Sequence, residues 1–230
     1  ANCLHNNTTG YSNVAVGSAS MFHNTTAFSN TAVGYNSLYT NVTGSYNVAM
    51  GHASLYLNTT GEKNVSIGYA SLINNTTGSS NAASGHNALY SNTTGSYNTA
   101  VGRDALSSNT TAGQNSAFGY NALLTNTTGE LNVAVGGKAL QLNTTGGLNV
   151  AVGAYSLDAS NGSMNTGLGY RALGANTTGS RNTAVGNDAL LLSTTADSCT
   201  AIGDRALEAN TTGGANVAVG SQALGANTTG

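Results

Sequence analysis

The chain has 230 residues, of which 31 are Gly and none is Pro or Trp, and 6% are charged, against roughly 25% in an ordinary soluble domain. A net charge of −2 leaves no electrostatic footprint for nucleic acid or for an anionic membrane surface. Apolar runs are a handful of residues long, too short for a membrane-spanning helix, and frequent β-branched residues with little charge argue against disorder.

Residues 1–12 read as the end of a repeat, and the first complete one starts at Asn13. The motif Asn-x-Ala-x-Gly then recurs from Asn30, Asn47, Asn64, Asn81, Asn98, Asn115, Asn132, Asn149, Asn165, Asn182, Cys199 and Asn216. Every step is 17 residues except Asn149 to Asn165, which is 16. Numbered from that Asn, the consensus is N-V/T-A-V-G-Y-x-A-L-x-x-N-T-T-G-S-x. Position 5 is Gly from Gly17 to Gly220, and position 9 is Leu with Met21 the one substitution. Self-similarity at a fixed period is the signature of a stacked-repeat architecture. The chain enters at position 6 and leaves at position 15. It therefore reads as one continuous array over 1–230, a segment of a longer fibre, with no linker or second domain.

Seventeen residues are too few for a helix pair, and two Gly turns per repeat would interrupt a helix. Val-Ala-Val at positions 2–4 predicts a short strand, and Ala-Leu-x-x at positions 8–11 predicts a second. Two strands and two turns make one coil of an all-β, repetitive β-solenoid, β-roll-like and fibrous, with about 13 coils stacked at about 4.8 Å. The absence of Pro fits, because each coil must donate backbone N–H groups to its neighbour. All 14 charged residues and all 11 tyrosines fall at positions 6, 7, 10, 16 or 17, so these columns face solvent. Positions 4 and 9 hold large apolar residues except at Ser84, so Val16, Val33, Val101, Leu38 and Leu106 are expected to form a thin core.

N-V-A-V-G-x-x-A-L resembles the head repeat of trimeric autotransporter adhesins, a left-handed β-roll in which three chains associate. The longer form, N-T-A-V-G-Y-N-A-L-x-x-N-T-T-G-S, looks closer to arrays in tail-fibre-like and large bacterial surface proteins. The resemblance covers the whole chain and implies a fibrous β architecture that acts as a spacer, with trimerisation by analogy. The adhesin unit is usually shorter than the repeat found here, and no stalk, neck or anchor is recognisable.

Three sets of columns are candidates for function. Asn-x-Ser/Thr sequons occur at Asn7, Asn24, Asn41, Asn58, Asn75, Asn92, Asn109, Asn126, Asn143, Asn161, Asn176, Asn210 and Asn227. They are glycan acceptors if they lie on a surface turn of a secreted eukaryotic chain, or a hydrogen-bonded turn ladder otherwise. The Asn at position 1 reads as a second such ladder. The aromatic columns, with Tyr35, His52, Tyr69, His86 and Tyr120 at position 6 and Phe22, Tyr39, Tyr56 and Tyr90 at position 10, are candidates for contact with a partner chain or a glycan. Self-stacking along the coils is the alternative. Arg171, Asp188 and Arg205 at position 7 read as a surface charge ladder.

Nothing resembles an enzyme. The four His share no coil with a matching Ser and carboxylate, no Walker loop, H-E-x-x-H or C-x-x-C is present, and the calcium nonapeptide is missing. Neither a cofactor nor a metal is expected. Thr pairs at positions 13 and 14 are adjacent rather than alternate, which disfavours an ice-binding face. The expectation is a structural protein at the cell or virion surface or outside the cell, forming a stiff fibre by self-association as a filament or homotrimer. The alternative is a trimeric adhesin or tail-fibre shaft that presents a receptor- or glycan-binding surface.

Overall fold

The computed structural model describes residues 2–230, which fall into two compact units, 2–114 and 115–230. Both are all-β solenoids in which each repeat contributes one strand of three residues. The first unit holds β1 (Val14–Val16), β2 (Thr31–Val33), β3 (Val48–Met50), β4 (Val65–Ile67), β5 (Ala82–Ser84) and β6 (Thr99–Val101). The second holds β7 (Ser116–Phe118), β8 (Val133–Val135), β9 (Val150–Val152), β10 (Thr166–Leu168), β11 (Thr183–Val185), β12 (Thr200–Ile202) and β13 (Val217–Val219).

Within each unit successive strands pair in parallel, position against position. Ala15 faces Ala32, and Ala32 faces Ala49. The 16-residue repeat keeps that register, since Ala151 faces Gly167 and Gly167 faces Ala184. No helix among the described residues is long and apolar enough to cross a membrane.

The interior is narrower than the sequence reading supposed. Position 9 is inside as expected, with Leu38, Leu55, Leu106 and Leu173 fully buried. Position 4 is not: Val16 and Val101 are exposed and Val33 is half-buried. The reason is strand parity, because side chains alternate between faces. The middle residue, Ala32, Ala49, Ala100 or Ala134, points inward and is fully buried. Positions 2 and 4 therefore point outward together. One large side chain per coil is buried, worth about 1.5–3 kcal/mol, and hydrogen-bond ladders fill the rest of the interior.

The expected second strand is also absent. Positions 6–11 form a chain of turns in which positions 7 and 9 take left-handed backbone, as in Asn36 (φ 56) and Leu38 (φ 51). Such a conformation costs a non-Gly residue about 1–2 kcal/mol. Here it aims the Leu38 side chain into the core and its N–H at the Ser54 carbonyl of the next coil, 2.9 Å away. Position 5 has a stricter demand. Gly51 sits at φ +132, and a Cβ there would collide with the Gly68 carbonyl in the next coil. Only Gly meets both conditions.

Candidate functional site

The sequon asparagines lie inside the coil rather than on its surface. Asn24, Asn41, Asn58, Asn75, Asn92, Asn109, Asn126, Asn143, Asn176 and Asn210 are fully buried, Asn7 and Asn227 are half-buried, and Asn161 is exposed. Asn58 is typical: its Nδ2 donates to Asn41 Oδ1 at 2.8 Å and to the Gly61 carbonyl at 2.9 Å. Its own Oδ1 accepts from Asn75 Nδ2 at 2.9 Å. Both amide protons are used, and the nitrogen that would carry a glycan has no route to solvent. This corrects the placement of these residues on a surface turn. Asn161, in the shortened repeat, instead turns its Oδ1 toward the Thr144 N–H at 2.6 Å.

A second ladder runs beside the first. Position 1 donates from Nδ2 to the position-15 carbonyl of its own coil, as in Asn64 to Gly78 at 2.9 Å. Its Oδ1 accepts the backbone N–H of the next position 1, as in Asn81 N to Asn64 Oδ1 at 3.0 Å. Cys199 takes this position with its Sγ directed at the Gly213 carbonyl at 3.2 Å and its N–H on Asn182 Oδ1 at 2.9 Å. Cys199 is buried, Cys3 is exposed, and both are free thiols.

The aromatic columns stack on themselves in the first unit. At position 10, His5–Phe22, Phe22–Tyr39 and Tyr39–Tyr56 have ring centroids 4.7, 5.5 and 5.1 Å apart and nearly parallel planes. At position 6, Tyr35–His52, His52–Tyr69 and Tyr69–His86 follow at 5.3, 5.2 and 5.1 Å. A ring stacked on both sides offers solvent its edge and not its face. Phe22, Tyr39 and Tyr56 are half-buried, while Tyr35, His52, Tyr69, His86, Tyr90 and Tyr120 are exposed. The structure brings Tyr35 to His86 into one stack and places Tyr120 in the second unit.

The surface that sequence reasoning missed is the outward face of the strands. In the first unit it carries Val14, Val16, Met50, Val65, Ile67 and Val101, all exposed. In the second it carries Phe118, Val133, Val135, Val150, Leu168, Ile202, Val217 and Val219, also exposed. The remaining sites hold Thr, Ser, Ala82 and the half-buried Val33, Val48, Val152 and Val185, and no charged residue falls on positions 2 or 4 anywhere in the chain. The signal is a small residue between two larger ones in every strand except Ala82–Ser84.

Charge is confined to other columns. Arg171 Nε meets Asp188 Oδ1 at 2.7 Å, and that hydrogen bond raises the Arg171 pKa further above its ordinary value. Arg181 and Asp197 approach at 3.7 Å, both well exposed. Among the described residues no cluster of three or more His, Cys, Asp or Glu is arranged to hold a metal ion. Comparison with family models, with curated proteins and with solved structures finds no match.

Proposed function

We propose that this protein is a structural element of an extracellular or surface fibre and that its coils associate laterally with further copies of the chain through the outward strand face. The observation that carries the reading is the uncharged, largely apolar character of that face, against turn columns that hold all the charge. Contiguous exposed apolar surface marks an interaction site. A partner with the same repeat length matches it column for column over many coils, which a partner of another period cannot do. The resemblance to adhesin heads and tail-fibre arrays points the same way, with three chains as the stoichiometry it implies.

The test is the mass of the native particle by light scattering, for the wild type and for a variant carrying Val133→Lys, Val150→Lys and Val217→Lys. A wild-type oligomer that falls to monomer in the variant, with the β signal in circular dichroism intact, is the expected result. A wild type that stays monomeric at every concentration overturns the reading.

A further inference from the structure

The second unit contains a cavity of 200 Å³ lined by Tyr155, Asp158, Arg171, Gly174, Ala175 and Leu191. Its origin is visible in the columns. Position 10 on three successive coils is Asp158, Gly174 and Leu191, so the middle coil has no side chain where its neighbours have one. The coil that supplies Tyr155 and Asp158 is also the shortened one, and its Ser160 replaces the Asn of the inner ladder. In every other coil before the last, position 10 carries a side chain. Here it carries none and a notch opens.

Two of the polar groups around the notch keep open hydrogen-bonding capacity. Asp158 Oδ1 is buried and has no hydrogen-bond partner. Arg171 binds Asp188 through Nε and its guanidinium lies 5.4 Å from the centre of the Tyr170 ring, while its terminal nitrogens, on a side chain 42% exposed, make no hydrogen bond to protein among the described residues. Lys138 Nζ lies 5.2 Å from the centre of the Tyr155 ring, and Tyr170 meets the same ring edge-on at 6.1 Å. Ala175 and Leu191 supply an apolar wall. An unfilled acceptor beside unfilled donors is an arrangement that a buried polar site completes with a bound molecule or water.

Charge narrows the class of molecule. At positions 7 and 10 of these coils Lys138, Arg171 and Arg205 are balanced by Asp158, Asp188 and Glu208, the last of which acts on Arg171, so the site favours neither an anion nor a cation. Volume narrows it further, because 200 Å³ corresponds to about seven waters at liquid density, the size of one sugar ring rather than a peptide segment. We propose that this notch binds a single neutral sugar residue. One hydroxyl donates to Asp158 Oδ1, a neighbouring hydroxyl accepts from the Arg171 guanidinium, and the carbon face lies against Tyr155 and Leu191. Each hydroxyl can both donate and accept, which suits adjacent carboxylate and guanidinium groups. The site occupies positions 7, 10 and 11, apart from the outward strand face, so it is independent of lateral association.

The experiment is saturation-transfer NMR on the full chain with the methyl glycosides of glucose, galactose, mannose and N-acetylglucosamine. At least one is expected to bind the wild type. Its affinity should fall by about tenfold or more when the charged hydrogen bond is removed in Asp158→Ala, and equally when the notch is filled in Gly174→Leu. Leu already occupies position 10 at Leu124 and Leu191. Gly225→Leu is the control, since Gly225 shares the column and backbone surroundings of Gly174 but lies outside the notch, and it should bind as the wild type does. If Gly174→Leu does not fold, Asp158→Ala decides the question alone. No signal from any glycoside, undiminished binding in Asp158→Ala or a folded Gly174→Leu, or binding of inorganic phosphate or tetramethylammonium in place of every glycoside, each overturns the proposal.

Discussion

Asn47 and Asn58 meet on a single acceptor: each donates from Nδ2 to the Gly61 carbonyl oxygen at 2.9 Å. The first opens its coil and the second stands near its end, so one carbonyl ties the two ends of the coil together from inside. Asn58 carries the further bonds to Asn41 and Asn75. Asn58→Ala removes three hydrogen bonds and leaves buried partners unpaired, a loss of about 2–4 kcal/mol. Denaturant unfolding followed by circular dichroism measures it. Asn58→Ser should cost less, because Ser160 and Ser193 already stand in this column.

The two glycine-rich columns differ in their tolerance. Gly68 has φ +129 and faces the Gly85 carbonyl, so Gly68→Ala should cost about 3 kcal/mol or more. A Cβ at Gly78 would also press on a carbonyl, that of Gly95, but its φ is ordinary and its column already holds Ala27, Ala112 and Ala196. Gly78→Ala should cost less, about 1–2 kcal/mol. Equal losses in the two variants would mean that backbone conformation is not what selects Gly at position 5.

Burial holds the Asp158 carboxyl above its ordinary value of 3.8, and Lys138 offsets this in part. The unfolded chain therefore releases this proton before the folded chain does. Stability from this group is present below 3.8 and is lost as pH rises through the window between 3.8 and the raised folded value. Asp158→Asn should be more stable than the wild type above that window and no more stable below it, as read by melting temperature across acidic to neutral pH.

Tyr39 lies between Phe22 and Tyr56 in the position-10 stack, with centroids 5.5 and 5.1 Å away. Tyr39→Ser loses these two stacked contacts and an edge contact with His23 at 5.0 Å, each of about 0.5–1.5 kcal/mol, and a double-mutant cycle with Tyr56→Ser should show positive coupling. The mass of the native particle should stay unchanged. A change in association would return the column to the set of partner contacts.

The buried sequon ladder sets an expectation for chains made in a glycosylating secretory system. Within this column Asn161, the exposed member, should carry more glycan on folded protein than any buried member, as peptide mass mapping would reveal. Modification at Asn58 or Asn75 would block the ladder, so folded material should lack it.

The period, the in-register stacking and the all-β class were legible because Gly51 and Leu55 have counterparts in every complete repeat. The inward face was misread because Val16 and Val33 are larger than Ala15 and Ala32, and size was taken as the guide where parity decides. In a strand of three residues the middle one faces opposite to its neighbours, so a core that admits only Ala, Ser66 or Gly167 there forces Val outward. The Ala-Leu segment was read as a strand because Leu38 is apolar, yet left-handed backbone is invisible in side-chain identity. The notch escaped notice because it depends on what Gly174 lacks between Asp158 and Leu191, which becomes visible only when the coils are stacked.

The bond from Asn64 N to Asn47 Oδ1 is 2.9 Å and the bond from Asn81 N to Asn64 Oδ1 is 3.0 Å, so neighbouring junctions are chemically alike. Excising residues 64–80 as a block would place Asn81 against Asn47 as Asn64 stands now, with the Leu, Gly and Asn columns restored at the seam. Whole repeats are thus interchangeable parts, and a gene encoding them can lengthen or shorten by recombination between copies without creating a new kind of interface. The coil of Tyr155 and Asp158 is the exception. It keeps the strand register and the bonds of its opening Asn, but Ser160 breaks the run of inner asparagines, so each duplication or loss of a repeat can be counted from it.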